Sequence, residues 1–279
     1  MSTVNGNQQV SDLANEYRYK RFTTSLLFRD LRFARKAAGP GDAFPSIDLV
    51  ATDGSHLTNS IVFGDKPVLM IFGSMTCPMT ASAAPSVQQL YDEFGARVDF
   101  IMLYVREAHP GENYGQADTI EEKLRNAQAL KEFYDIPWTV AADNVDGDLH
   151  QALDPKPNSA YLMNNDGTIL FRSLWAADKD AIRQALDTAA AGRVPIRQQS
   201  TALIGPVVRA MGNVQEVMER GGPQAVKDLW RAGFPMALAG RIAAFFSPLS
   251  PDQRGLAAAL TLAAGTLVLI GVLVAWATA

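Results

Sequence analysis

Two rhythms of apolar and polar residues alternate along the middle of this chain. Short apolar runs at residues 68–72, 98–105, 139–142, 160–163 and 168–172 have the length and content of buried strands. Between and after them, stretches at 80–94, 119–133 and 178–190 repeat apolar residues every three or four positions, as helices do. Strands separated by helices predict a parallel α/β sheet, and the last two strands close on Asn165-Asp166-Gly167, whose Asp-Gly pair predicts a hairpin turn. Residues 194–251 read as a helical connector punctuated by Gly205-Pro206, Gly221-Gly222-Pro223 and Pro235. Residues 256–276 are an uncharged run of 21, long enough at about 1.5 Å per residue to cross a hydrocarbon core of roughly 30 Å.

The pattern divides the chain into a basic amphipathic N-terminal segment (1–39), an α/β domain (40–190), a helical connector (191–254) and a C-terminal transmembrane anchor (255–279). Within the first segment, residues 17–36 hold seven Arg or Lys against one Asp, interleaved with Leu and Phe. Such a helix suits an anionic membrane surface or the edge of the sheet, and the apolar stretch 234–246 likewise suits the bilayer interface or a packed helical hairpin. Arg241 and Arg254 precede the long apolar run and no basic residue follows it, which predicts a single-pass anchor with the large N-terminal part in the cytoplasm. The N-terminus lacks the apolar core of a signal peptide, and a single cysteine fits a reducing compartment.

Composition removes several function classes. The net charge is −4, and the basic residues do not combine with aromatic stacking motifs, so no nucleic acid partner is expected. One cysteine and three scattered histidines cannot build a closed zinc site, and neither a phosphate loop nor a dinucleotide fingerprint is present. No metal or bound cofactor is expected.

The candidate chemistry lies where the 68–72 strand gives way to a helix. Gly73 and Ser74 break the strand, Pro78 follows Cys77, and Val87, Leu90, Tyr91 and Phe94 recur at helical spacing, so Cys77 belongs at or just before a helix N-terminus. A free cysteine is commonly an inert packing residue. Here its neighbours Thr76 and Pro78 argue for reactivity, with the helix dipole and unpaired amides expected to lower a thiol pKa of about 8.5 and favour the thiolate. His109 closes the strand-like run 98–105 and precedes Pro110-Gly111, at the edge where open α/β sheets gather ligand-binding groups. It is either a solvent-facing loop residue or the partner of Cys77, and as an imidazolium it would hold the thiolate or deliver a proton. His56, in a turn, and His150, in a polar helix-like stretch, are expected at the surface.

The segments G-S-M-T-C-P (73–78) and Y-V-R-E-A-H (104–109) resemble the iodothyronine deiodinases, which carry selenocysteine at the position of Cys77. The runs at 41–54 and 143–172 are similar to redoxin openings and to the later half of the deiodinase domain, so the resemblance extends over residues 22–189. It implies a thioredoxin-like fold, here with a helical C-terminal extension and one transmembrane helix. It also implies a site built on Cys77 and His109 and shaped by Ser74, Thr76, Pro78, Glu107 and Pro157. Ser74 and Thr76 would donate hydrogen bonds to the sulfur, and Pro157 is the candidate for the cis-proline that thioredoxin-like folds hold against the reactive atom. The family's second histidine is replaced in the region of Gln116, Ala117 and Asp118. Cys-x-x-Cys disulfide exchange is disfavoured, because Ser74 and Thr80 stand where a second cysteine would be needed.

The activity implied is that of a thiol oxidoreductase using one nucleophilic cysteine for reductive dehalogenation of iodinated aromatics. It would involve a small-molecule substrate, an external thiol reductant, membrane lipid and, by family resemblance, a homodimer. A one-cysteine peroxide reductase of peroxiredoxin type and a catalytically silent membrane-tethered scaffold are the alternatives.

Overall fold

The apolar run near residue 70 forms β3 (Val68–Gly73), every residue of which is buried. A strand apolar on both faces needs cover on both, and it has it: Leu69 and Ile71 cluster with Val87, Leu90 and Phe94 on one side, while Val68, Met70 and Phe72 cluster with Phe44, Leu149 and Leu153 on the other. The computed structural model describes residues 17–278. In chain order its further elements are α1 (Thr24–Asp30), β1 (Asp48–Ala51), β2 (His56–Thr58), α2 (Asn59–Val62), α3 (Pro78–Phe94), β4 (Asp99–Tyr104), α4 (Ile120–Phe133), β5 (Thr139–Ala142), α5 (Asp148–Ala152), β6 (Ala160–Met163), β7 (Ile169–Ser173), α6 (Lys179–Ala190) and β8 (Gln199–Ser200). The sheet order is β2-β1-β5-β4-β3-β6-β7-β8. Parallel pairing joins β3, β4 and β5, while β6 and β7 add an antiparallel hairpin beside β3. This is a thioredoxin-like α/β sheet. The hairpin turn sits at Asp166-Gly167, with Gly167 at φ +85° and the Asn164 side chain accepting from the amides of Asp166 and Thr168.

Five helices follow: α7 (Ile204–Met211), α8 (Val214–Gly221), α9 (Pro223–Ala232), α10 (Phe234–Ala244) and α11 (Pro251–Thr278). Val214, Val217, Met218 and Leu229 form a third core with Tyr19, Phe22 and Leu26 of the N-terminal segment. That segment is therefore a strap across the domain. Its helix α1 is only seven residues long, capped by the Thr23 hydroxyl, and it buries Leu26 while leaving Phe28 exposed. Arg21 clamps the strap to α9 through a two-pronged bond to the buried Asp228, at 2.6 Å from Nη2 and 2.9 Å from Nε.

α11 is the one helix among the described residues long and apolar enough to cross a membrane, with a mean hydropathy of 2.4 and 6% of its most apolar window buried. Its first turns pack against α7. A Cβ added to Gly255 would stand 2.0 Å from the Val208 carbonyl oxygen, and one added to Gly212 would stand 1.8 Å from that of Pro251. These two glycines let the backbones touch, and the pairing 212 with 251 and 208 with 255 makes the two helices antiparallel.

Candidate active site

β3 and β4 run in register to their last residues, Gly73 opposite Tyr104, so the loops that leave them depart side by side from one edge of the sheet. β6 runs the other way, with Ala160 opposite Ile71, so the segment entering it arrives at that same edge. The topology thus brings Cys77, His109 and Pro157 together. All three line a cavity of about 70 Å³ whose walls are otherwise almost entirely apolar. Phe22 and Leu31 of the strap, Trp175, and Val207, Met211 and Met236 of α7 and α10 close it.

Cys77 is the N-cap residue of α3, with Pro78 opening the helix. The amides of Met79 and Thr80 and the Thr80 hydroxyl, in the first turn of the helix, favour the thiolate. Burial outweighs them. The side chain is almost completely covered, and its pKa is pushed up to about 11, so the expected low-pKa thiolate is corrected to a neutral thiol.

Ser74 and Thr76 do not serve the sulfur as expected. The Thr76 hydroxyl donates to Glu107 Oε2 at 2.5 Å and accepts from the His109 amide at 3.1 Å, while the Thr76 amide also donates to Glu107 at 3.0 Å. Ser74 Oγ accepts from the Ala108 amide at 3.3 Å. Both hydroxyls lace the cysteine loop to the histidine loop, because the adjacent strand ends leave unpaired amides within their reach. Glu107 anchors this lacing and also accepts from the Tyr104 hydroxyl. Burial raises its pKa to about 7 against the opposing pull of Thr76 and Tyr104. The Gln116 side chain holds the Glu107 backbone from both sides, its Oε1 accepting from the amide and its Nε2 donating to the carbonyl, each at 2.9 Å.

His109 is buried, its ring 4.1 Å from that of Phe22, and its Nδ1 has no hydrogen-bond partner. Burial lowers its pKa to about 3, with Asp228 opposing. The imidazolium partner is therefore corrected to a neutral imidazole. Pro157 faces the cavity, but the described residues contain no cis peptide bond, which corrects the cis-proline expectation. The trans form is the lower-energy X-Pro isomer, and the following residues are fixed by Asn158 Nδ2 donating to the Phe72 carbonyl and Phe72 N donating to that of Ser159.

His56 is exposed and paired with Asp48 at 2.8 Å. His150, expected at the surface, is completely buried: Tyr17 Oη bonds its Nδ1 and its Nε2 bonds the Lys156 carbonyl. It locks the strap to the loop before β6.

Two cavity residues had gone unnoticed. Trp175 follows β7, and its Nε1 lacks a partner. Asp30, the only acid among the strap's seven basic residues, is buried against the cavity with Oδ1 unbonded. Burial raises its pKa to about 6, against the pull of Arg106, Arg29 and Lys156.

The iodothyronine deiodinase family model matches residues 5–179. This chain belongs to that family. It is 28% identical over 108 residues to thyroxine 5-deiodinase of Gallus gallus, covering 35% of this chain and 42% of that protein. It is also 28% identical over 102 residues to the human type II iodothyronine deiodinase, covering 32% and 37% respectively. The chain thus matches about two fifths of the length of these relatives. Among solved structures, an uncharacterized conserved protein from Geobacillus kaustophilus aligns at TM-score 0.48 and 22% identity over 58% of this chain and 88% of its own. A putative thiol:disulfide interchange protein DsbE from Chlorobium tepidum aligns at TM-score 0.44 and 20% identity over 55% and 99%.

Proposed function

We propose that this protein is a membrane-anchored thiol oxidoreductase that removes iodine reductively from iodinated aromatic molecules, with Cys77 as its nucleophile. The observation that carries the reading is the position of Cys77, at a helix N-terminus and lining an apolar cavity it shares with His109, in a chain of the deiodinase family. An aryl iodide suits such walls, and its iodine is a soft electrophile matched to sulfur. The thiol and the imidazole are both neutral at rest. His109 then serves as a proton carrier: it takes the Cys77 proton as sulfur bonds to iodine, and returns it to the ring carbon that receives the electrons of the breaking carbon–iodine bond. Cys–SH and Ar–I give Cys–S–I and Ar–H. One external thiol displaces iodide to form a mixed disulfide, and a second releases Cys77 and the oxidised reductant. α11 holds the enzyme in a membrane with the domain on the cytoplasmic side, in keeping with Arg241 and Arg254 before the span.

The test is a substrate panel for the full-length protein in detergent with a dithiol reductant. Iodide release from iodophenols without matching consumption of hydrogen peroxide or alkyl peroxides is the expected result. Peroxide turnover in its place would establish the peroxide reductase, and neither activity would leave a scaffold.

A further inference from the structure

The cavity beside Cys77 holds more unused polarity than dehalogenation requires. Asp30 is 94% buried, its Oδ1 makes no hydrogen bond, and it lies on the cavity wall. Arg29 Nε stands 4.0 Å from Oδ1, an ion-pair separation beyond hydrogen-bond reach. The other cations around it are engaged elsewhere. Arg106 stacks on Tyr17 and Tyr19 and donates to the Tyr17 and Pro155 carbonyls, and Lys156 pairs with Asp154 and donates to the Arg29 carbonyl. A buried carboxylate oxygen without a donor is costly, so a ligand that supplies one gains what the free protein lacks. Trp175 also lines the cavity, and its indole N–H is a buried donor without an acceptor.

We propose that Asp30 is a specificity-determining residue that accepts a hydrogen bond from a hydroxyl group carried on the aromatic ring of the substrate. The assignment rests on the reading of the cavity as a site for aromatic substrates and narrows it to phenols. A hydroxyl fits better than an ammonium group, because Arg29, Arg106 and Lys156 lie around Asp30 and would repel a further cation, outnumbering the two carboxylates, Asp30 and Asp154, that would attract it. A hydroxyl is also an acceptor, which matches the spare donor of Trp175. Replacing it with a methyl ether deletes the only donor and leaves the ring unchanged. A site built for a hydroxyl rejects an analogue without one, because its own polar group is left unpaired. At about 70 Å³ the closed cavity has the volume of roughly two waters, so a ring enters as α7 and α10 give way, and the hydrogen bond to Asp30 contributes to holding it.

The experiment is calorimetric binding of 3-iodophenol and 3-iodoanisole to the full-length protein in detergent at pH 7, without reductant and with Cys77→Ala to prevent turnover. Binding is read directly, so loss of dehalogenation and loss of hydroxyl recognition are separate outcomes. With Asp30 intact, the phenol is expected to bind at least tenfold more tightly than the ether. Asp30→Ala should reduce that ratio to within twofold while leaving the ether's affinity unchanged. If Asp30→Ala does not fold, Asp30→Asn decides: a neutral acceptor is weaker than a charged one, and the ratio should fall at least threefold. Equal affinities with Asp30 intact, no binding of either probe, or a ratio that survives the substitutions would overturn the assignment. A purely structural Asp30 would weaken both ligands alike.

Discussion

Cys77 illustrates how two opposing effects at one residue are decided by magnitude. The helix N-terminus and the first-turn donors of Met79 and Thr80 favour the anion, yet burial leaves the pKa at about 11, so only about one thiol in ten thousand is ionised at pH 7. Alkylation of ligand-free protein by iodoacetamide should therefore rise about tenfold per pH unit from 7 to 10, and a plateau near pH 8 would contradict the neutral thiol. Because His109 is itself uncharged, His109→Gln should leave that profile in place while slowing dehalogenation by tenfold or more. Glu107 has a different signature. Its folded pKa of about 7 lies above the ordinary carboxyl value of 4.5, so its protonated form stabilises the fold. That contribution is fully present below pH 4.5 and is lost as pH rises to 7 and above, on the order of 3 kcal/mol. Buried His109 and His150 act in the opposite sense, so the comparison must be made against Glu107→Gln. Between pH 5 and pH 8 the native protein should lose stability relative to that variant in denaturant unfolding, and parallel curves would refute the linkage.

At the scale of elements, α7 links the site to the anchor. One part of it supplies Val207, Ala210 and Met211 to the cavity, and another meets the first turns of α11 through Gly212 and Gly255. Gly255→Val would drive a side chain into the Val208 carbonyl, at about 1–3 kcal/mol for overpacking, and unseat the cavity roof. Alkylation of Cys77 at pH 8 should then accelerate at least fivefold; an unchanged rate would mean that α7 does not control access. The strands that set up the site were legible in the sequence because β3 and β4 are buried on both faces and read as unbroken apolar runs, and Cys77 and His109 could be located from where those runs end. β1, β2 and β8 were not, being two to four residues long with exposed positions that leave no period to read. The lid was also hidden: Phe22, Asp30, Val207 and Met236 reach Cys77 only through long-range packing, which local periodicity does not encode. That same packing turned the expected thiolate into a buried thiol.

Taken whole, the molecule is an α/β sheet whose strap and C-terminal helices form one lid, with the apolar half of α11 left exposed beyond Ala258. A chain ending at residue 259 retains the buried Gly255 and Ala258 contacts. It should move from the membrane to the soluble fraction and keep its dehalogenation of small soluble substrates; a folded but inactive product would show that the remainder of the anchor orders the site. The most direct test of the account is a single turnover of 3-iodophenol by reduced full-length protein with no external thiol. One equivalent of phenol per Cys77 should form and the reaction should then stop, to resume as iodide release when a dithiol is added. Phenol formation by Cys77→Ala at a tenth or more of the native rate would contradict the assignment of Cys77 as the nucleophile, as would the absence of any phenol from the native protein.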